Sequence, residues 1–316
     1  MPDTQQALQS GVQHHQAGDL DQAAGLYRQV IEQEPRNADA HHLLGLLCLQ
    51  QNDLNAALDH LRTAIDCQPQ AATFHFHLGT ALSRTGQKLQ ALDAYRQAVQ
   101  LDPQAAPIHT ALGNLLRSLG QLDEAEAAYR QAAHAAPQSA EVQNDLGNVL
   151  QDQQRYEEAT QAFQTALRLR PEAAEIYFNL GNCYRHRQLD DQAVEAYRQA
   201  VALRPELVLA HQHLGLTLQR LDQFEQAADC HRRAIELDPT MVEAHNALGV
   251  ALQKSKQLDQ AIASYQQALQ QAPHHVTARF NLASALHAQG ELQQAEAHYQ
   301  AVIKNAPNHR ESLTGL

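Results

Sequence analysis

The sequence predicts an all-α protein, an α-solenoid of tandem helix-turn-helix units. Three observations predict it. Nine of the eleven prolines stand 34 residues apart, at Pro35, Pro69, Pro103, Pro137, Pro171, Pro205, Pro239, Pro273 and Pro307. Eight of the fourteen glycines keep the same period, at Gly11, Gly45, Gly79, Gly113, Gly147, Gly181, Gly215 and Gly249, and Ala283 takes the ninth place. Alanine recurs without exception at Ala23, Ala57, Ala91, Ala125, Ala159, Ala193, Ala227, Ala261 and Ala295. Several independent registers on one period mark a tandem array, so repeats are counted before domains.

Each unit reads as two helices. The apolar residues are mostly alanine and leucine, with few β-branched ones, which favours helix. In the stretch Ala140 to Gln153, Val142, Leu146, Val149 and Leu150 recur at steps of three and four. In Tyr156 to Leu169, Ala159, Phe163, Ala166 and Leu167 do the same. Such steps gather each set on one helical face. Between the helices, Gly18, Gly86, Gly120 and Gly290 supply the left-handed residue that ends a helix. Proline then closes the unit, because it biases the residue before it away from helical geometry. Gly147 and Ala159 carry almost no side chain, which predicts a close crossing where those positions meet. Leu146, Leu150 and Phe163 fill the flanking space. One helix pair cannot bury both its faces, so it stacks on its neighbours.

The register places nine units at 4–37, 38–71, 72–105, 106–139, 140–173, 174–207, 208–241, 242–275 and 276–309. They form one array over residues 1–309, and 310–316 begin a tenth unit, with Leu313 in register. The first unit has Ala7, Ser10 and His14 where others carry large apolar residues, which reads as a polar cap. The last full helix carries Leu292, Tyr299, Val302 and Ile303 with most of a covering helix missing. Terminal repeats need a polar outer face. The expectation is that the natural protein continues, or that this end pairs with another chain.

The unit resembles a tetratricopeptide repeat. Residues Tyr177, Leu180, Gly181, Ala193, Tyr197, Ala200 and Pro205 match that family's pattern of large, small and closing positions, and the match runs from 4 to 309 without insertion. The resemblance implies a right-handed superhelix with first helices lining a concave groove. It also implies that the second, fifth, sixth, ninth, twelfth and thirteenth places of each unit face inward. The ninth place holds Asn114, Asn148 and Asn182 in three consecutive units. The sixth holds His77, Asp145, Asn179, His213 and Asn281. The fifth holds Phe76, Phe178 and Phe280, and the twelfth and thirteenth hold Arg84, Arg117, Arg185, Arg220 and Lys254.

Side-chain amides at one repeat interval can each grip a peptide backbone with a donor and an acceptor. Nearby arginines can add charge-assisted bonds to carboxylates. The expected function is therefore a non-catalytic scaffold for protein–protein interaction, binding an extended peptide or a partner helix in its groove. The lysine that a chaperone-binding carboxylate clamp needs at the fifth place is absent from every unit. Leu-Gly-Asn and Tyr-Arg-Gln-Ala segments, with Asn179 and Asn281 at the sixth place, resemble the repeat arms of bacterial O-GlcNAc transferase-like proteins. That resemblance gives the alternative expectation: a substrate-recruiting arm of a glycosyltransferase whose catalytic part lies beyond residue 316.

Other classes are excluded. No phosphate loop, Gly-x-Ser-x-Gly or His-Glu-x-x-His is present, so no catalytic site is predicted. No cofactor is expected. Cys48, Cys67, Cys183 and Cys230 form no Cys-x-x-Cys pair and read as buried thiols of a cytoplasmic protein. None of the nineteen histidines has another three or four residues away, and neighbouring helices lie too far apart for a shared ion, so no metal site is predicted. His41, His75 and His109 share one place, as do His211 and His245, and are expected to pack in helix interfaces. The net charge of −12 opposes nucleic acid. No apolar run is long enough to span a membrane, and Met1 to Gln6 is unlike a secretory signal.

Overall fold

The structure is a computed structural model and describes residues 3–305. Pro307, the proposed tenth-unit stub at 310–316 and any pairing through that end lie outside the described residues. Eighteen helices and no strand occur among the described residues. They come in pairs: α1 (Thr4–Gln16) with α2 (Leu20–Gln33), α3 (Ala38–Gln50) with α4 (Leu54–Cys67), α5 (Ala72–Arg84) with α6 (Lys88–Leu101), and α7 (Ala106–Ser118) with α8 (Leu122–Ala135). Then follow α9 (Ala140–Asp152), α10 (Tyr156–Leu169), α11 (Ala174–His186), α12 (Asp190–Leu203), α13 (Val208–Arg220), α14 (Phe224–Leu237), α15 (Val242–Lys254), α16 (Leu258–Gln271), α17 (Val276–Gln289) and α18 (Leu292–Asn305). Every odd-numbered helix starts on the first residue of a unit read from the sequence.

The chain divides into two compact units, one ending at Gln153 and the other beginning at Gln154. The boundary falls inside the fifth repeat, between α9 and α10. Within each unit a helix packs chiefly on its neighbours in the chain, as expected where every repeat covers only the next.

The turns inside repeats explain the fixed period. Gly18, Asn52, Gly86, Gly120, Gln154, Gln188, Asp222, Lys256 and Gly290 all have positive φ, between 57° and 93°, and occupy the same place in nine repeats. Glycine adopts this geometry without strain. The other five pay for it with a crowded Cβ. Asp19 and Asp53 also cap α2 and α4, each side chain accepting from a backbone N–H of the first turn.

The crossing inside each repeat shows a further role for its glycine. The glycine of the first helix serves chiefly as a seat for the large residue four places after the invariant alanine. A Cβ on Gly11, Gly79, Gly113 or Gly181 would stand 2.6, 2.6, 2.8 or 2.6 Å from the ring of Tyr27, Tyr95, Tyr129 or Tyr197. At Gly45 the same atom would meet Leu61 at 2.9 Å, with the backbone oxygen of Ala57 farther off at 3.4 Å. Rings there are fully buried, as Tyr27, Tyr129, Tyr197 and Tyr265 show. The invariant alanines are buried as well, Ala193, Ala227 and Ala261 without any exposed surface.

The histidine places also resolve. His41, His75, His109, His211 and His245 donate from Nε2 to the backbone oxygens of Pro35, Pro69, Pro103, Pro205 and Pro239, at 3.1, 2.9, 2.9, 2.9 and 3.0 Å. Arg279 does the same to Pro273. Each side chain therefore ties the closing turn of one repeat to the first helix of the next, and gives the carbonyl of the closing proline a partner.

Candidate functional site

Two of the ninth-place asparagines accept hydrogen bonds from side chains of their own or the next repeat. Asn114 is exposed, yet its Oδ1 accepts the hydroxyl of Tyr129 at 2.6 Å. Asn182 is buried, and its Oδ1 accepts from the Tyr197 hydroxyl at 2.7 Å and from Nδ1 of His213 at 2.8 Å. Elsewhere Thr80 takes the hydroxyl of Tyr95 at 3.3 Å, and Gln253, from the twelfth place, takes that of Tyr265 at 2.8 Å. Burial forces this arrangement. A phenol that has lost water needs another partner, and it pushes the Tyr197 hydroxyl up to about 12. Where the ring position is Leu61, the ninth place is Leu46 and no acceptor is needed. The expected amide ladder is therefore, at Asn114 and Asn182, first a set of internal acceptors. Asn148 and Asn179 are half-buried.

Two other predicted residues bridge neighbouring first helices. His77 joins His42, Nδ1 to Nε2, at 2.8 Å, and Asn281 donates to Oδ1 of Asn246 at 2.9 Å. The histidine pair brings side chains of two neighbouring first helices together. They lie 35 residues apart, a spacing that the intrahelical test does not examine. Among the described residues, no group of three or more histidine, cysteine, aspartate or glutamate side chains is placed to hold a metal ion. Burial, with the charge of the partner His77, lowers His42 to about 4, and burial with nearby Arg185 and His186 lowers His213 to about 4. Both imidazoles are neutral near pH 7. Phe178 packs against the rings of Tyr197 and His213, with centroids 5.9 and 5.2 Å away.

The arginines are engaged rather than free. Arg117 Nε lies 2.5 Å from Asp152 Oδ2, and Arg220 lies 3.1 Å from Asp190. Arg185 bonds the Tyr197 hydroxyl, while its buried Nε has no partner. Arg84 reaches the backbone oxygen of Leu49 at 2.7 Å and Asn52 at 2.8 Å. Arg117 and Arg220 thus each have an aspartate at hand within the repeats.

Two hollows open on the first-helix face. In the unit ending at Gln153, a cavity of about 680 Å³ runs across α7 and α9, lined by Ala106, Thr110, Ala111, Asn114, Val142 and Asp145, among others. Of these, Thr110, Ala111, Asn114 and Asp145 hold fifth, sixth and ninth places of two consecutive repeats. Alanine at the sixth place of one repeat, where its neighbours carry His77 and Asp145, makes the depression. Asp145 is half-buried, and burial raises its carboxyl above the usual range. In the other unit, a cavity of about 720 Å³ is lined by Gln253, Lys254, Lys256, Asn281 and Ser284, among others. Of the residues that the sequence placed inward, Asn114 and Asp145 reach the first hollow and Lys254 and Asn281 the second. The sequence reading missed Thr110 and Ala111, whose signal was a small residue in a place otherwise filled.

No helix among the described residues is long and apolar enough to cross a membrane. A family model described as cilia and flagella-associated protein 70 C-terminal domain matches residues 3–202, more than half of the chain. One described as tetratricopeptide repeat matches 214–273 and 246–310. No curated protein matches the sequence. Among solved structures, the C-terminal part of a TPR repeat-containing protein from Cytophaga hutchinsonii aligns with a TM-score of 0.64 at 14% identity, covering 76% of this chain and 99% of its own. YrrB, titled a TPR protein with an unusual peptide-binding site, aligns at 0.54 and 24% identity, covering 63% and 99%. The pilF protein of Pseudomonas aeruginosa aligns at 0.56 and 22%, covering 67% and 96%. At these identities the likeness speaks for the fold alone. The chain belongs to the family of the cilia and flagella-associated protein 70 C-terminal domain, a tetratricopeptide repeat family.

Proposed function

We propose that this chain is a non-catalytic protein-interaction scaffold that holds an extended peptide, or one helix, of a partner against its first helices. The hollow across α7 and α9 carries the reading. It joins equivalent places of two repeats, its floor is small side chains, and its walls offer Asn114 and Thr110 to a peptide backbone. An amide such as Asn114 that gives its oxygen to Tyr129 still has two N–H donors for a ligand. Repeat arrays of this kind bind along such a face. The nine repeats between 4 and 309 are taken as one array, with Asn148, Asn179, Asn182, Asn281, His77, His213, Phe178, Arg117, Arg185 and Arg220 on its ligand-facing side. The acidic balance of the chain disfavours nucleic acid as the partner. The substrate-recruiting arm of a glycosyltransferase is a narrower form of the same reading, supported by the Leu-Gly-Asn texture around Asn182.

Replacing the asparagines is a poor test, because Asn114→Ala or Asn182→Ala strands a buried tyrosine hydroxyl, at a cost of about 1–3 kcal/mol. Ala111→Trp fills the hollow instead. Peptides selected from a displayed library on the intact chain should lose binding by about tenfold or more to this variant, with unchanged helicity by circular dichroism. Peptides that bind both chains equally would overturn the proposal.

A further inference from the structure

We propose that His41 and His60 form a binding site for one Cu²⁺ ion, held by the Nδ1 atoms of both rings. The site stands apart from the peptide-binding reading above and uses none of its residues.

The pairing is peculiar to the second repeat. His41 holds the fourth place, on α3, and His60 the twenty-third, on α4, and in no other repeat do both places carry histidine. The twenty-third place is alanine in four repeats, at Ala94, Ala128, Ala162 and Ala196. The two Nδ1 atoms face each other at 3.1 Å. Nε2 of His41 donates to the backbone oxygen of Pro35 at 3.1 Å, so Nδ1 of the neutral ring is a lone pair turned toward His60. A ring N–H given to a backbone carbonyl is the support that metal-bound imidazoles have. Among the described residues His60 makes no other hydrogen bond. Its proton is free to sit on Nε2, and its Nδ1 is then a second lone pair in the same gap.

Spacing, charge and room agree with that occupant. Metal–nitrogen bonds of about 2.0–2.1 Å that meet at roughly 100° hold two nitrogens about 3.1 Å apart. Two carboxylates, Asp53 and Asp59, act on His60 against one guanidinium, Arg28, a balance that favours a cation. Burial, with His41 beside it, lowers His60 below the ordinary imidazole range, so near pH 7 its ring is neutral and open to a metal. The same two places open on hollows elsewhere in the fold. Tyr177 and Ala196 line one of about 240 Å³ in the sixth repeat, and His245 and Ser264 one of about 330 Å³ in the eighth. His60 itself is half-buried, which leaves water a path to the ion.

The donor set selects the metal. Two imidazoles are fewer protein ligands than the three or four that zinc takes. Copper(II) stands highest in affinity for nitrogen donors, and its tetragonal geometry accepts two adjacent nitrogens with water in the remaining positions.

The test uses the intact chain and Cu²⁺ alone, in a buffer that does not coordinate it. Titration calorimetry reads the affinity and electron paramagnetic resonance the ligand set. The tightest copper ion of the unmodified chain should show nitrogen splitting from two imidazoles. Two variants are chosen to keep the fold, since each installs what another repeat carries at the same place: His60→Ala, as in Ala94, and His41→Gln, as in Gln143. Each should weaken that ion by about tenfold or more, the loss that removal of an outer partner alone already brings. Each should also take one nitrogen from the spectrum, with unchanged helicity by circular dichroism. His42→Asn, as in Asn246, breaks the neighbouring histidine pair and should leave the affinity unchanged. Zn²⁺ should bind more weakly than Cu²⁺. Copper held equally well by the unmodified chain and by both variants, which is adventitious binding to the other histidines, overturns the proposal. So do a spectrum without nitrogen splitting, zinc bound more tightly than copper, and loss of the ion in His42→Asn.

Discussion

His231 occupies the ring position of its repeat with a side chain that cannot make the usual bond. Tyr129 and Tyr197 send a hydroxyl to the ninth place of their repeats, but here that place is Leu216. The imidazole is fully buried, bonds Gln212 through Nδ1 at 2.8 Å, and leaves Nε2 buried without a partner. Burial lowers its pKa to about 4, against 6.5 in the unfolded chain. The unfolded state therefore takes up a proton between those values that the folded state refuses. Stability is intact above about pH 6.5 and is lost as the pH falls toward 4, by up to about 1.4 kcal/mol per pH unit for this group. His231→Phe should remove that share of the slope. Chemical denaturation at pH 7, 6 and 5 measures it, and an unchanged slope would sink the assignment. None of this was legible from one residue: it needed the comparison of one place across nine repeats.

Helix ends decide the elements. The period fixed where each pair begins, because proline and alanine recur in every repeat and report on the backbone itself. Four turns could be read as left-handed because they hold Gly18, Gly86, Gly120 and Gly290. The equivalent residues Asn52, Gln154, Gln188, Asp222 and Lys256 gave no such sign, since a side chain hides the geometry that glycine announces. Their strain is open to correction. Gln188 is exposed with φ of 59°. Replacing it with glycine removes the Cβ crowding, worth about 1–2 kcal/mol, against about 0.5–1 kcal/mol of added chain entropy. Gln188→Gly should raise the melting midpoint modestly, and calorimetry that shows a fall would mean that the side chain makes a contact worth more than the strain.

Across the molecule, cover is uneven. α1 buries only Ala7 and Gly11, whereas α3 buries seven residues, from Ala40 to Leu49. Local opening follows buried contact, so amides of α1 should exchange with solvent well before those of α3 in a hydrogen-exchange time course; equal protection would contradict this. The same contrast was visible in the sequence, where Ala7, Ser10 and His14 replace larger side chains. The site was less legible than the scaffold. A helical period is set by neighbours three and four residues away. The partners of Asn182, His77 and Arg117 stand 15, 35 and 35 residues distant, and only the folded repeats bring them together. Small residues such as Ala111 signal a hollow only by contrast with the same place elsewhere.

The glycine seat imposes an order on change. A methyl group added at Gly113 would drive into the ring of Tyr129 at 2.8 Å, and overpacking of this kind costs about 1–3 kcal/mol. Shrinking the ring first frees the space, and an exposed amide such as Asn114 then turns to water at little cost. A lineage can therefore leave the glycine–tyrosine pairing by one door and not by the other. Leu61, beside an apolar Leu46 and a glycine still in place at 45, stands one step through that door. In the ninth repeat Ala283 holds the place of that glycine and Tyr299 is still buried.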